Sequence, residues 1–159
     1  MNGYSVDNYI IDQDYFGSYT YRTTKASHNG CGPIAVYNLF HFLGISKNLG
    51  EIIDEMNEMY IFKIPGPTTM KVMRTYLNKY LNDIIEVCGK SNCYKSASSS
   101  ICGIIRYNES GVPHFVCYIK DENNFRFFNV DTGKEDYKTS MDDFFCRILP
   151  GYTAAFTII

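Results

Sequence analysis

Apolar positions divide the chain into a helical first half and an extended second half. From Cys31 to Leu43 they fall around most of a helical circumference, through Ile34, Ala35, Tyr37 and Phe42, with Asn38 among them. Pro33 sits in the first turn, where its missing N–H costs nothing, and Gly44 is a suitable stop. A helix so apolar belongs in the middle of a fold. A second helix is expected over residues 49–60, capped by Ser46, with Ile52, Ile53, Met56 and Met59 on one stripe and Glu51, Asp54, Glu55 and Glu58 opposite. The run Ile64-Pro65-Gly66-Pro67 breaks the chain, and Thr68 or Thr69 then caps a third helix that runs through Leu81.

From residue 84 the period changes. Residues 84–88 read as a short strand and 94–100 as a serine-rich loop or a turn of helix. Strands are expected over 101–107, 114–120, 125–130 and 153–159, with a short helix capped by Ser140 before the last. Residues 1–24, rich in tyrosine among Asp, Gly and Ser, predict irregular structure wrapped on the body. Helices first and strands second predict an α+β fold over 1–159, one domain with N-terminal helices packed on a C-terminal antiparallel sheet.

Composition narrows the partners. Fourteen tyrosines, eleven phenylalanines and 45% hydrophobic residues suit a packed core, and a net charge of -2 offers no electrostatic footprint for nucleic acid. No basic-then-apolar leader and no membrane-length apolar run is present, so a soluble, cytoplasmic protein without a membrane partner is expected. In a reducing compartment the six cysteines are expected to stay free. Cys102, Cys117 and Cys146 lie in apolar stretches and are expected in the core. Cys88 and Cys93 have half the spacing of a metal site, but no second pair or nearby histidine completes it.

The stretch Asn29-Gly30-Cys31-Gly32-Pro33 places a thiol at a helix start, where the dipole and unpaired N–H groups favour the thiolate. Such a nucleophile needs a base and a group to orient the base. His41, ten residues further along the same helix, is about 15 Å away, and His28 lies just before the helix start. His114 opens a strand whose hairpin, if symmetric about Glu122 and Asn123, sets Asp131 directly opposite it on the same face. A strand-end histidine and a turn-forming Asp131-Thr132-Gly133 are the alternative.

With Asn29-Gly30-Cys31-Gly32-Pro33-Ile34-Ala35, His114-Phe115-Val116 and Asn129-Val130-Asp131-Thr132-Gly133 in this order, the chain resembles the papain-like cysteine peptidases, in particular the bacterial C39-like family. The Ser140-Met141-Asp142-Asp143-Phe144-Phe145 segment and the hydrophobic C-terminal strand extend the resemblance over about residues 29–159. It implies a papain-like fold, Cys31 as nucleophile, His114 as general base and acid, and Asp131 as orienter. It implies no metal or organic cofactor, and a peptide or protein as substrate. The family usually carries an oxyanion glutamine about six residues before the cysteine, where this chain has Lys25. Gln13, eighteen residues upstream, needs a long excursion to return, which leaves Asn29 as the oxyanion candidate, with Ser27, His28 and Lys25 nearby. The expected activity is hydrolysis of a peptide or isopeptide bond. The alternatives are an acyltransferase or transglutaminase-like enzyme on the same triad, or a silent module that binds a peptide or partner protein.

Overall fold

The computed structural model describes residues 2–130 and 137–159, and its architecture is α+β. A 3₁₀ turn at Gln13–Phe16 leads to a small hairpin of β1 (Thr20–Tyr21) and β2 (Thr24–Lys25), then to the short helix α1 (Ala26–Asn29). The helices α2 (Cys31–Leu43), α3 (Leu49–Glu58) and α4 (Met70–Tyr80) follow. The second half contributes β3 (Ile85–Cys88), α5 (Lys90–Ser98), β4 (Cys102–Glu109), β5 (Val112–Asp121), β6 (Asn124–Phe128), β7 (Tyr137–Thr139), α6 (Met141–Arg147) and β8 (Ala154–Ile158). Among the described residues the main sheet is antiparallel, in the order β3-β8-β4-β5-β6-β7.

Capping chemistry sets the helix ends. Gly44, at φ 75°, closes α2. The cap of α3 is Asn48, two residues after the expected Ser46: its side chain accepts from the Glu51 amide at 2.9 Å. Thr69 caps α4 and Ser140 caps α6 in the same way. The serine-rich stretch after Cys88 is a full helix, α5, whose small residues Cys93 and Ala97 are buried against the sheet.

The sheet is covered on both faces, not only by the early helices. Cys102 and Ile104 of β4 and Phe115, Cys117 and Ile119 of β5 face α2, α3 and α4. Their neighbours Ile105, Tyr107, Val116 and Tyr118 face α5 and α6. A strand buried on both sides reads as a continuous apolar run, the pattern of β4 and β5. Cys146 departs from expectation: it lies on the outer side of α6 and is exposed, whereas Cys102 and Cys117 are fully buried.

Asn38 explains itself as the polar residue inside α2. Fully buried, it accepts from the Ile10 amide at 2.7 Å and donates to the Ile10 carbonyl at 2.9 Å. This pair fastens the N-terminal segment along α2, and Tyr9 then stacks on Phe128 of β6 with centroids 4.1 Å apart. Residues 8–13 are thereby carried across the helix to the end of β6.

Candidate active site

The two glycines beside Cys31 are required by packing. A Cβ on Gly30 would strike the Ala26 carbonyl, so only glycine lets α2 start immediately after α1. A Cβ on Gly32 would strike the Thr68 side chain. Thr68 is itself fixed: its hydroxyl bonds Tyr21 Oη at 2.7 Å, and Tyr21 Oη bonds Tyr60 Oη at 2.8 Å. The first turn of α2 is therefore clamped against the loop before α4, with Cys31 on the side that faces β5. A pocket of about 370 Å³ opens over the thiol, bounded by residues 65–67 on one side and by Glu109, Val112, Pro113 and His114 on the other.

His114 belongs to β5 and pairs with Tyr107 of β4, whose ring meets the imidazole edge-on at 5.6 Å. Its Nε2 lies 2.9 Å from the Asn129 main-chain carbonyl. A carbonyl can only accept, so Nε2 carries the proton and Nδ1 of the neutral ring is left as the base. The ring and the Cys31 thiol line the same pocket and interact, and Glu109 Oε2 stands 3.8 Å from Nε2. Burial pulls the pKa of His114 down, but Cys31, the Asn129 carbonyl and the Glu109 charge together outweigh it and hold the imidazolium form above its ordinary 6.5.

The hairpin register agrees with symmetry about Glu122 and Asn123, running from Asp121 opposite Asn124 to Cys117 opposite Phe128. The ladder stops there, short of the expected residue 130, because Asn129 turns into the left-handed region at φ 61°. Asn tolerates that conformation better than most residues. The turn aims the Asn129 carbonyl at His114, a contact with the main chain that strand pairing did not foresee. Asp131, the expected orienter, lies outside the described residues.

Gln13 makes the excursion that sequence separation argued against. The chain runs from the 3₁₀ turn through the β1–β2 hairpin, which reverses at Arg22 and Thr23, both with positive φ, and returns through α1 to Cys31. Gln13 consequently lines the same pocket as Cys31 and His114. Its Nε2 donates to the Ser27 carbonyl at 2.9 Å, its Oε1 accepts from Asn129 Nδ2 at 2.9 Å, and its main-chain N–H donates to Asn129 Oδ1 at 3.1 Å. The second Nε2 hydrogen has no acceptor among the described residues. Asn29 also lines the pocket, but its Nδ2 donates to the Tyr21 and Gly66 carbonyls, both at 2.9 Å. Those two bonds use both hydrogens, so the Asn29 amide as placed has none for an oxyanion.

The other candidates separate clearly. His28 is exposed at the rim of the pocket. His41 is far along α2, where its Nε2 meets the Asp7 carbonyl at 2.8 Å and its ring stacks on Tyr37. Cys88 is exposed, while Cys93 is buried on the sheet-facing side of α5. Among the described residues, no three His, Cys, Asp or Glu side chains gather as a metal site, and no helix is long and apolar enough to cross a membrane.

A thiol beside an imidazole whose Nε2 is fixed by a carbonyl, with a carboxamide lining the same pocket, has the parts for nucleophilic attack on a carbonyl. No protein-family model matches the chain, and no curated protein matches it.

Proposed function

We propose that the protein is a thiol-dependent peptidase with a papain-like arrangement, acting through an acyl-enzyme on Cys31. One observation carries this reading: Cys31 and His114 line one pocket close enough to influence each other, and the Asn129 carbonyl fixes the His114 Nε2. A structural cysteine has no need of a tautomer-fixed imidazole at a pocket.

In this mechanism His114 Nδ1 takes the thiol proton, and the thiolate attacks the substrate carbonyl carbon. The oxyanion is received by the Cys31 main-chain N–H, at the start of α2 where amides lack intrahelical acceptors, and by the Nε2 hydrogen of Gln13 that has no acceptor among the described residues. The His114 imidazolium then gives its proton to the departing amine as the C–N bond breaks, leaving a thioester. Water, deprotonated by the same ring, attacks the thioester and releases the carboxylate and the thiol. Gln13 takes the part expected of Asn29, and Glu109 adds a nearby negative charge that favours the imidazolium.

Turnover of a mixed fluorogenic peptide library by the wild type and by Cys31→Ala tests the proposal. Hydrolysis lost completely in Cys31→Ala is the expected result. Equal turnover by the two proteins, or none by either, overturns it.

A further inference from the structure

The wall formed by residues 64–67 has a second surface behind the cleft. A groove of about 380 Å³ lies there, with Met59, Ile61, Phe62 and Ile64 as its apolar lining, Arg22 and Lys71 as its cations, and no carboxylate among its lining residues. Ile61, Phe62 and Ile64 are 87%, 73% and 56% exposed. Single exposed apolar residues need no explanation, whereas a contiguous set beside charge marks an interaction surface. Neither Arg22 nor Lys71 has an acidic partner within ion-pair distance among the described residues.

Arg22 is held in place for this position. Its backbone is left-handed at φ 49°, a costly state for a side chain this long. Asn57 of α3 fixes the turn by accepting from the Arg22 amide at 2.9 Å and donating to the Thr20 carbonyl at 3.1 Å. The guanidinium lies 4.1 Å over the Tyr60 ring and donates through Nη1 to the Pro67 carbonyl, while its Nε is buried and has no partner among the described residues.

We propose that this groove binds a segment of the polypeptide substrate, at a distance from the bond that Cys31 attacks, and that the segment it selects mixes apolar and acidic residues. The inference rests on the peptidase reading and names its substrate class. Continuity supports it: Pro65, Gly66 and Pro67 line the cleft, and Ile64 lines the groove. The partition is pinned, since the Gly66 carbonyl accepts from Asn29 and the Pro67 carbonyl from Arg22. A chain lying over the thiol and crossing this ridge meets apolar side chains first and, beside them, two cations without an acidic partner among the described residues, so charge complementarity selects acidic residues. The concave shape favours an extended peptide over a flat lipid surface.

The test uses the full chain carrying Cys31→Ala, so that binding is read without turnover. Two fluorescein-labelled ten-residue peptides of equal leucine content are compared by anisotropy, one completed with glutamate and one with lysine. The glutamate peptide is expected to bind at least tenfold more tightly. Lys71→Glu and Phe62→Ser, both at exposed positions, are each expected to weaken it by at least fivefold without changing the thermal transition. Equal affinity for the two peptides, or affinity unchanged in both variants, overturns the proposal. So does binding found only to phosphatidylserine vesicles. Selective glutamate-peptide binding by a protein whose wild type hydrolyses nothing would uphold the groove and reject the peptidase, so the two ideas fail separately.

Discussion

Asn129 grips Gln13 from two sides, accepting from its main-chain N–H at 3.1 Å and donating to its Oε1 at 2.9 Å, while its own carbonyl receives the His114 proton at 2.9 Å. One left-handed residue thus sets both the imidazole and the carboxamide on which the proposed chemistry depends. Asn129→Gly keeps the backbone conformation at low cost but removes the grip on Gln13. It should lower kcat by about 100-fold, the scale of a lost oxyanion donor, with KM nearly unchanged. Measured kcat within threefold of wild type would remove Asn129 from this role.

Gln13→Ala tests the donor directly. The loss in kcat is expected to be about 100- to 1000-fold, while the rate of Cys31 alkylation by iodoacetamide stays as in the wild type, because the thiol and its base are untouched. If alkylation slows as much as turnover, Gln13 acts on the thiol and not on the oxyanion.

The imidazole partner predicts a pH signature. His114→Gln removes the group placed to take the thiol proton, so Cys31 alkylation at pH 7 should slow by about tenfold. With the His114 pKa raised above 6.5, its cation persists to higher pH than that of a free histidine and is lost as pH climbs through the raised value. The wild-type advantage should therefore shrink in alkaline buffer, where an unassisted thiol ionises by itself. A constant ratio from pH 6 to pH 10 contradicts the pairing.

Away from the cleft, Glu55 joins α3 to α4. It receives Lys47 at 2.6 Å, Tyr76 at 2.6 Å and Tyr80 at 2.7 Å. Burial raises its pKa, but Lys47 and the two tyrosines more than offset this and hold it at about 2. A depressed carboxylate stabilises the fold fully above its unfolded value near 4.5 and ceases to as pH falls through about 2. Glu55→Gln should cost about 1–3 kcal/mol at pH 7, measured by urea unfolding, and the two proteins should converge by pH 2. A gap that persists at pH 2 would assign the loss to packing.

The sequence spoke most clearly where periodicity and turn chemistry agree. The helix from Cys31 to Leu43 and the β5–β6 register are both readable, the first from apolar spacing and stops, the second from symmetry about Glu122 and Asn123. Gln13 was hidden because its return depends on contacts between distant groups: Asn38 with Ile10, Asn57 with Arg22, and Asn129 with Gln13 itself. None of these leaves a repeat or a spacing. The helix α5 was obscured because its buried side is made of small residues, Cys93 and Ala97, amid serine and lysine. Asn129 did carry a faint signal, being a residue tolerant of the left-handed region at a strand end.

The Gln13–Asn129 contact joins residues 116 apart in the chain. As a ribosome delivers this protein, the cysteine helix emerges early, when neither the sheet nor the residue that positions both helpers exists. The thiol would remain an ordinary cysteine through most of synthesis and gain its partners only when β5 and β6 have zipped. Late arming of this kind would spare the nascent chain, and whatever surrounds it, from a nucleophile with no pocket to restrain it.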